Sequence, residues 1–173
     1  YNGEYTIEGT LKSILSDLSG NEDKFEIIIS DNCSTDNTFN ILSNYIKKYE
    51  FIKYFKNESN LGFDRNIDKI INLASTDYVW FVGDDDELEK GAVKKVLDIL
   101  KNYKNLKSIC INYSIYDRIK EKYIMEKVIG IDQDILFKNP NDFLSKLGYH
   151  PNFVSSLIIN KANYKSDLYK KYF

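Results

Sequence analysis

Cysteine, proline and arginine are each nearly missing from this sequence, which holds two of every kind. Cys33 and Cys110 lie in unlike contexts without CxxC or Cys/His spacing, which excludes a zinc site and a disulfide framework and makes a reducing compartment the default. Pro140 and Pro151 both come late, so the first 139 residues can run as uninterrupted helices and strands. Arg65 and Arg118 leave 22 lysines to carry the positive charge against 26 acids. The net charge of -2 and a pI near 5.5 argue against nucleic-acid binding, which calls for a basic excess. No apolar run approaches the ~18 residues of a membrane span, and the first residues carry no signal-peptide pattern. Repeats, low-complexity tracts and Gly/Ser/Pro linkers are also lacking. What remains is 173 residues, 43% apolar and 29% charged, enough for one globular domain with a hydrophobic core of its own.

Apolar spacing divides the chain. Helical periodicity runs through Ile7, Leu11, Ile14, Leu15 and Leu18, and Gly20 closes it. Phe25 to Ser30 and Tyr78 to Val82 are short, nearly continuous apolar runs, the pattern of strands buried on both faces. Phe51 to Phe55 reads as a strand nearer an edge, and Ser108 to Tyr113, Lys122 to Lys127 and Val154 to Ile159 as further strands. Helices are expected over Phe39–Tyr49, Asp64–Leu73, Glu89–Tyr103, Asn141–Leu147 and Ala162–Tyr172. Alternation of strand and helix through the first ~110 residues predicts an α/β fold, a mostly parallel sheet with helices on both faces. Ligands of such sheets bind outside the carboxyl ends of the strands. There, the two most apolar runs lead into acidic loops, Asp31 to Asp36 and Gly83 to Glu87.

Three consecutive aspartates and Glu87 concentrate charge that either stays solvated or is neutralised by a hard cation through oxygen ligands. The alternative is the first turn of the following helix, which favours acids. In the other loop Ser34 and Asp36 are placed to cap the next helix, whereas Asp31 emerges at the strand terminus, where a carboxylate can accept hydrogen bonds from a base or ribose. Gly62 fits a turn with positive φ. Arg65, with Asn66 in the first turn of a helix, opposes the helix dipole and so suggests an anionic partner, or else an ion pair with Asp64 or Asp68. His150 is a lone loop histidine, either a plain surface residue or a contact to metal or substrate.

The order FEIIISDNCSTDNT, then NLGFDRNIDKIINLASTDYVWFVGDDDELEKGAV, closely resembles the family 2 glycosyltransferases of GT-A fold over roughly residues 1 to 100. Their pattern is an apolar strand ending in VDDGSTDGT, an NxGxxxARN helix, and a strand ending in FLDADD with a following LxPGA. The opening Tyr1-Asn2 resembles the tail of the PTYN segment that closes the family's first strand, which extends the nucleotide-sugar-binding set to Tyr1, Asn2 and Glu4. The resemblance implies that Asp31 contacts the nucleotide base, that Ser34 and Asp36 shape its pocket, and that Arg65 and Asn66 line the donor cleft. In the DxD motif it sets Gly83 on the first acid, Asp84 on the variable position and Asp85 and Asp86 on the last two, which makes Asp85 and Asp86 the metal ligands and Asp84 a donor-side residue. Asp84-x-Asp86 is itself a DxD, so two assignments stand. Cys33 replaces the family's usual glycine and Asn32 its second acid. The GDDD variant resembles the abequosyltransferase-like branch.

The implied function is inverting transfer of a sugar from a nucleotide-sugar donor to a hydroxyl of a glycan or lipid-linked glycan, assisted by Mn²⁺ or Mg²⁺, in cell-surface polysaccharide assembly. It also implies a donor-binding half over 1–106 and the start of an acceptor-side half over 107–173, in a bacterial cytoplasmic protein whose membrane contact, at the inner face, is peripheral. The acceptor base usually comes from an ED-type motif beyond the DxD loop. None is found, and Asp132, Asp134, Asp142, Asp167 and His150 are the available groups, with Asp134 and His150 retained as candidates. By resemblance the chain begins after the family's first strand and stops before the base. The rival from another class is a non-catalytic nucleotide-sugar-binding domain. A phosphorelay receiver would need Lys-Pro after a later strand, where Ser114 and Tyr116 stand, and a sugar-1-phosphate nucleotidyltransferase would need a Gly-rich, basic N-terminal loop.

Overall fold

The computed structural model describes residues 1–165. Seven strands and five helices follow in the order α1 (Ile7–Leu18), β1 (Ile27–Asp31), α2 (Thr38–Lys48), β2 (Ile52–Lys56), α3 (Phe63–Leu73), β3 (Tyr78–Trp80), α4 (Ala92–Asn102), β4 (Ser108–Cys110), β5 (Ile115–Asp117), β6 (Lys122–Met125), α5 (Pro140–Leu147) and β7 (Leu157–Asn160). Where the final helix over Ala162–Tyr172 is expected, the described residues form one 3-10 turn at Lys161–Asn163 followed by non-helical Tyr164 and Lys165, and residues 166–172 of that expectation lie outside the described residues.

The α/β architecture holds, with helices on both faces. Alternation along β1 sends Ile27 and Ile29 into a core with Leu11 of α1 and Leu42 of α2, and Ile28 into a core with Ile71 of α3 and Val79 of β3. A third core joins Val96 of α4 to Ile109 of β4 and Ile158 of β7. The pairing is less parallel than the alternation of elements predicts. Strands β1 and β2 pair in parallel, Ile27 opposite Ile52 through Asp31 opposite Lys56. The late strand β7 inserts antiparallel between β3 and β4, and β5 and β6 form a separate antiparallel hairpin. Among the described residues no ladder joins β1 to β3, so Ile27 to Ser30 are only half-buried rather than enclosed on both sides.

The start of α4 moves from Glu89 to Ala92 for an identifiable reason. Gly91 adopts φ +90, and the Asp17 carboxylate at the end of α1 accepts the N–H groups of Gly91 (2.6 Å) and Val93 (2.7 Å). A side chain from another helix thus satisfies the donors that a local cap would otherwise take. The acids of residues 84–87 therefore lie outside the first turn of α4, which holds no acid, and the helix-dipole explanation for them falls.

Candidate functional site

Both acidic loops open at strand ends, and the N-terminal turn of residues 1–4 bridges them. The Asn2 N–H donates to Ser34 Oγ (2.9 Å), the Gly3 N–H to Thr38 Oγ1 (2.9 Å) and the Glu4 N–H to Asp36 Oδ2 (3.0 Å). In return Asn2 Oδ1 accepts the Thr35 N–H and Glu4 Oε2 the Asn37 N–H. On its other side the turn meets the second loop. A Cβ built on Gly3 would come within 2.5 Å of Asp84 Oδ2, so glycine is what lets that carboxylate lie over the turn. Thr10 Oγ1 also donates to the Asp84 carbonyl at 2.9 Å. The structure thus brings together Asn2, Glu4, Ser34, Asp36 and Asp84, the first four bonded largely to one another. Tyr1 is exposed at the edge of this turn.

Asp31 is 4% exposed, with both oxygens engaged: Oδ1 accepts the Ser34 N–H at 2.8 Å and Oδ2 the Tyr54 hydroxyl at 2.6 Å. Burial alone pushes its carboxyl up. The bonds from Ser34 and Tyr54, with the nearby Lys56 charge, outweigh that and hold it below the usual carboxylate range. The Tyr54 phenol is pushed well above the tyrosine range, first by burial and then by its bond to Asp31. Burial and hydrogen bonds compete likewise at Asp36, where the bonds from Thr38 and the Glu4 N–H hold the carboxyl low. Lys56 Nζ caps the arrangement by donating to the Ser34 carbonyl at 2.9 Å. Cys33 carries φ +71, the left-handed conformation that explains why glycine is usual there.

Asn32 and Asn66 tie the first loop to the N-terminal end of α3. Asn32 Oδ1 accepts from the Leu61 N–H and from Asn57, and its amide donates to Asn60. Asn66 Oδ1 accepts from Ser30 Oγ and Asn57 Nδ2 and its amide donates to the Ser30 carbonyl, so this residue ties α3 to the end of β1 rather than presenting its amide to solvent. Arg65 beside it is exposed, and among the described residues neither Asp64 nor Asp68 pairs with it; Asp68 accepts from Tyr164 instead. The suspected ion pair is not formed.

In the second loop Asp85 is exposed and its carboxylate accepts no hydrogen bond from a described residue. Asp86 is half-buried, its Oδ2 accepting from Ser155 Oγ at 2.5 Å. A Cβ on Gly83 would lie 2.7 Å from that oxygen and 3.0 Å from Asp85 Oδ1, so the glycine standing at the family's first acid accommodates the present arrangement of the two carboxylates. Glu87 pairs with Arg118 (2.9 Å), which also donates to the Asp85 carbonyl (3.2 Å). Among the described residues no three His, Cys, Asp or Glu side chains are grouped to hold a metal by themselves. Asp85 and Asp86 nevertheless fit the hard-oxygen donor set of a Mg²⁺- or Mn²⁺-type ion, which characteristically takes one or two carboxylates and completes its shell with substrate phosphates.

The candidate bases fare differently. Asp134 is paired with Lys95 on α4 (2.7 Å) and Asp132 with Lys127 (2.8 Å). Asp142 lies in the first turn of α5, and Asp167 lies outside the described residues. His150 Nδ1 is 3.2 Å from the Tyr113 hydroxyl. Sequence reasoning missed Tyr54, Lys56, Asn57, Thr10, Arg118 and Ser155, all of which touch one of the loops. No described helix is long and apolar enough to cross a membrane.

Known proteins share both pattern and fold. The abequosyltransferase RfbV of Salmonella typhimurium is 41% identical over 108 residues, 60% of this chain and 30% of that protein. The putative teichuronic acid biosynthesis glycosyltransferase TuaG of Bacillus subtilis is 35% identical over 100 residues, 58% of this chain and 38% of that one. The chain thus spans well under half the length of these relatives. Among solved structures, S. aureus TarS in complex with UDP-GlcNAc superposes with a TM-score of 0.69 at 21% identity, over 94% of this chain and 43% of that one. A mannosyltransferase of Pyrobaculum calidifontis in complex with GDP-Man and Mn²⁺ does so with a TM-score of 0.58 at 14% identity, over 90% and 40%. Glycosyl transferase family 2 as a whole matches residues 1–164. With the match extending over nearly the whole chain, the protein belongs to glycosyl transferase family 2.

Proposed function

We propose that this chain is the donor-binding part of an inverting glycosyltransferase that moves a sugar from a nucleoside diphosphate to an acceptor hydroxyl during assembly of a bacterial surface polysaccharide or lipid-linked glycan. The observation that carries the reading is the convergence of two acidic strand-end loops on one turn. One carries a buried, ionised Asp31 and the other the exposed carboxylate of Asp85 and the half-buried one of Asp86. Residues 1–106 supply the donor half and the described part of 107–173 begins the acceptor half. The work is cytoplasmic, with any membrane contact peripheral.

Asp31 serves the base. Each of its oxygens accepts one bond within the protein, and a carboxylate oxygen has a second lone pair for a base or ribose donor. Arg65, exposed and without an ion-pair partner among the described residues, supplies positive charge to the anionic donor. Tyr1 adds an aromatic edge. A divalent cation held by Asp85 and Asp86, with Asp84 beside them, would neutralise charge on the departing diphosphate. The acceptor proton goes to a general base.

A non-catalytic nucleotide-sugar-binding domain is favoured by one observation: Asp134 and Asp132 are both engaged by lysines, Lys95 and Lys127. Donor hydrolysis with and without Mn²⁺ separates catalyst from binder. Calorimetry with UDP, GDP, CDP and dTDP, each in Mn²⁺ and in chelator, tests the site itself. Equal affinity for the best nucleotide in chelator would remove the cation from the reading.

A further inference from the structure

Ser155 belongs to none of the motifs, yet it makes direct bonds to both ends of the aspartate loop. It sits in a 3-10 turn, Val154–Ser156, that leads into β7, and is 8% exposed. Its carbonyl accepts the Trp80 indole N–H at 3.0 Å, its hydroxyl oxygen accepts the Gly83 N–H at 2.8 Å, and the hydroxyl donates to Asp86 Oδ2 at 2.5 Å. A serine hydroxyl has a single proton. Since the Gly83 N–H already occupies the oxygen as an acceptor, that proton is directed to Asp86, a short charge-assisted bond.

The turn itself is fixed. Neighbouring Ser156 is fully buried and donates to the Phe153 carbonyl at 2.7 Å, while β7 is held between β3 and β4. Ser155 therefore cannot follow a wandering Asp86; it constrains it. With Oδ2 taken, Oδ1 is the Asp86 oxygen to which no described residue donates.

We propose that Ser155 is a positioning residue for the cation site. By binding one oxygen of Asp86 and the backbone of Gly83, it fixes which oxygen of Asp86 is offered to the ion. This rests on the cation reading of the previous subsection. It assigns to a segment about 70 residues downstream the control of a loop whose sequence alone looks self-sufficient.

The test is calorimetric titration of the full chain with its best nucleoside diphosphate, in Mn²⁺ and in chelator, together with Mn²⁺ binding followed by electron paramagnetic resonance. Ser155→Ala should weaken the Mn²⁺-supported affinity about ten-fold, as expected for loss of one charged hydrogen bond, and leave affinity in chelator unchanged. Ser155→Thr keeps the hydroxyl and should stay within about three-fold of the parent. Ser155→Cys keeps the volume with a weak donor and should behave as alanine does, which covers the case in which alanine fails to fold. In an Asp86→Ala background, removal of the Ser155 hydroxyl should have a clearly smaller effect, because only its bond to the Gly83 N–H is left to lose. Equal weakening with and without Mn²⁺, failure of the threonine variant to restore affinity, or full additivity with Asp86→Ala would each overturn the assignment. If the parent chain itself binds equally in chelator, the cation reading falls instead, and the parent titration reports that separately from the variants.

Discussion

The two strand-end loops occupy equivalent positions and solve opposite problems. In the loop after β1 the carboxylates face inward: Asp31 is enclosed by Ser34 and Tyr54, Asp36 by Glu4 and Thr38, and the asparagines bond to one another and to the backbone. In the loop after β3, Asp85 accepts nothing from the described protein and Asp86 is held by one oxygen only. Acidic residues are thus engaged by the protein in one loop, where the Asp31 oxygens each keep one lone pair, and left largely open in the other. A group whose partner is the protein is costly to remove from the fold, whereas a group whose partner is a ligand is costly only to binding.

That contrast can be broken by exchanging the readouts. The largest expected effect is Asp31→Ala, which strands the Ser34 N–H and the Tyr54 hydroxyl and should lower stability by about 3 kcal/mol in urea unfolding, one unsatisfied buried donor costing ~1–3 kcal/mol. Asp85→Ala should alter stability by less than about 0.5 kcal/mol yet reduce Mn²⁺-supported nucleotide affinity at least ten-fold, roughly the loss of one charge-assisted ligand. If Asp85→Ala unfolds the protein as readily as Asp31→Ala, the two loops are not different in kind.

The pair Asp31–Tyr54 sharpens the comparison through pH. Asp31 is held below its unfolded value near 3.9, so its contribution is present above that pH and lost as pH falls through the folded value. Tyr54 is held above its unfolded value near 10, so its contribution is present below that pH and lost as pH rises toward the folded value. Tyr54→Phe should therefore raise the pH at which stability is lost on the acid side and remove this group's alkaline dependence. Thermal melts from pH 3 to 11 read both. An unchanged profile would mean that the hydrogen bond at 2.6 Å contributes nothing.

Cys33→Gly is expected to stabilise by about 0.5 kcal/mol. Relief of a left-handed residue, about 1–2 kcal/mol, is partly offset by the greater unfolded-state freedom of glycine. The smallest effect belongs to Arg118→Ala. Its ion pair with Glu87 is solvent-exposed, and the variant should fall within about 0.5 kcal/mol of the parent.

Much of this architecture was readable because it is local. The helices α1, α2 and α3 follow their apolar spacing to within a residue or two, and Gly62 takes the positive φ its turn requires. The glycine usual at position 33 in the family points the same way, and the left-handed conformation of Cys33 is what the structure adds. What escaped depends on distant partners. The start of α4 is decided by Asp17, and the placement of β7 between β3 and β4 by a pairing no local pattern encodes. Short β5 holds only Ile115, Tyr116 and Asp117, too few to establish alternation. Tyr54 on β2 looked like one more apolar strand residue, because the carboxylate it meets lies 23 positions earlier. Nothing in the sequence around Ser155 distinguishes it from any other serine.

The bonds that anchor the aspartate loop also set an order of assembly. Thr10 and Asp84 are 74 positions apart, Ser13 and Leu88 are 75, and Asp86 and Ser155 are 69. The first loop, by contrast, is closed by partners that all lie between Asn2 and Asn66. On a ribosome adding about 5–20 residues per second, the interval between synthesis of Asp86 and of Ser155 is roughly 3–14 s. During that interval the loop after β1 can be complete while the loop after β3 still lacks its downstream anchor. A nascent chain stalled before Ser155 is therefore expected to resist protease at residues 31–36 and remain sensitive at 83–87, so that the loop after β3 is completed only after the loop after β1.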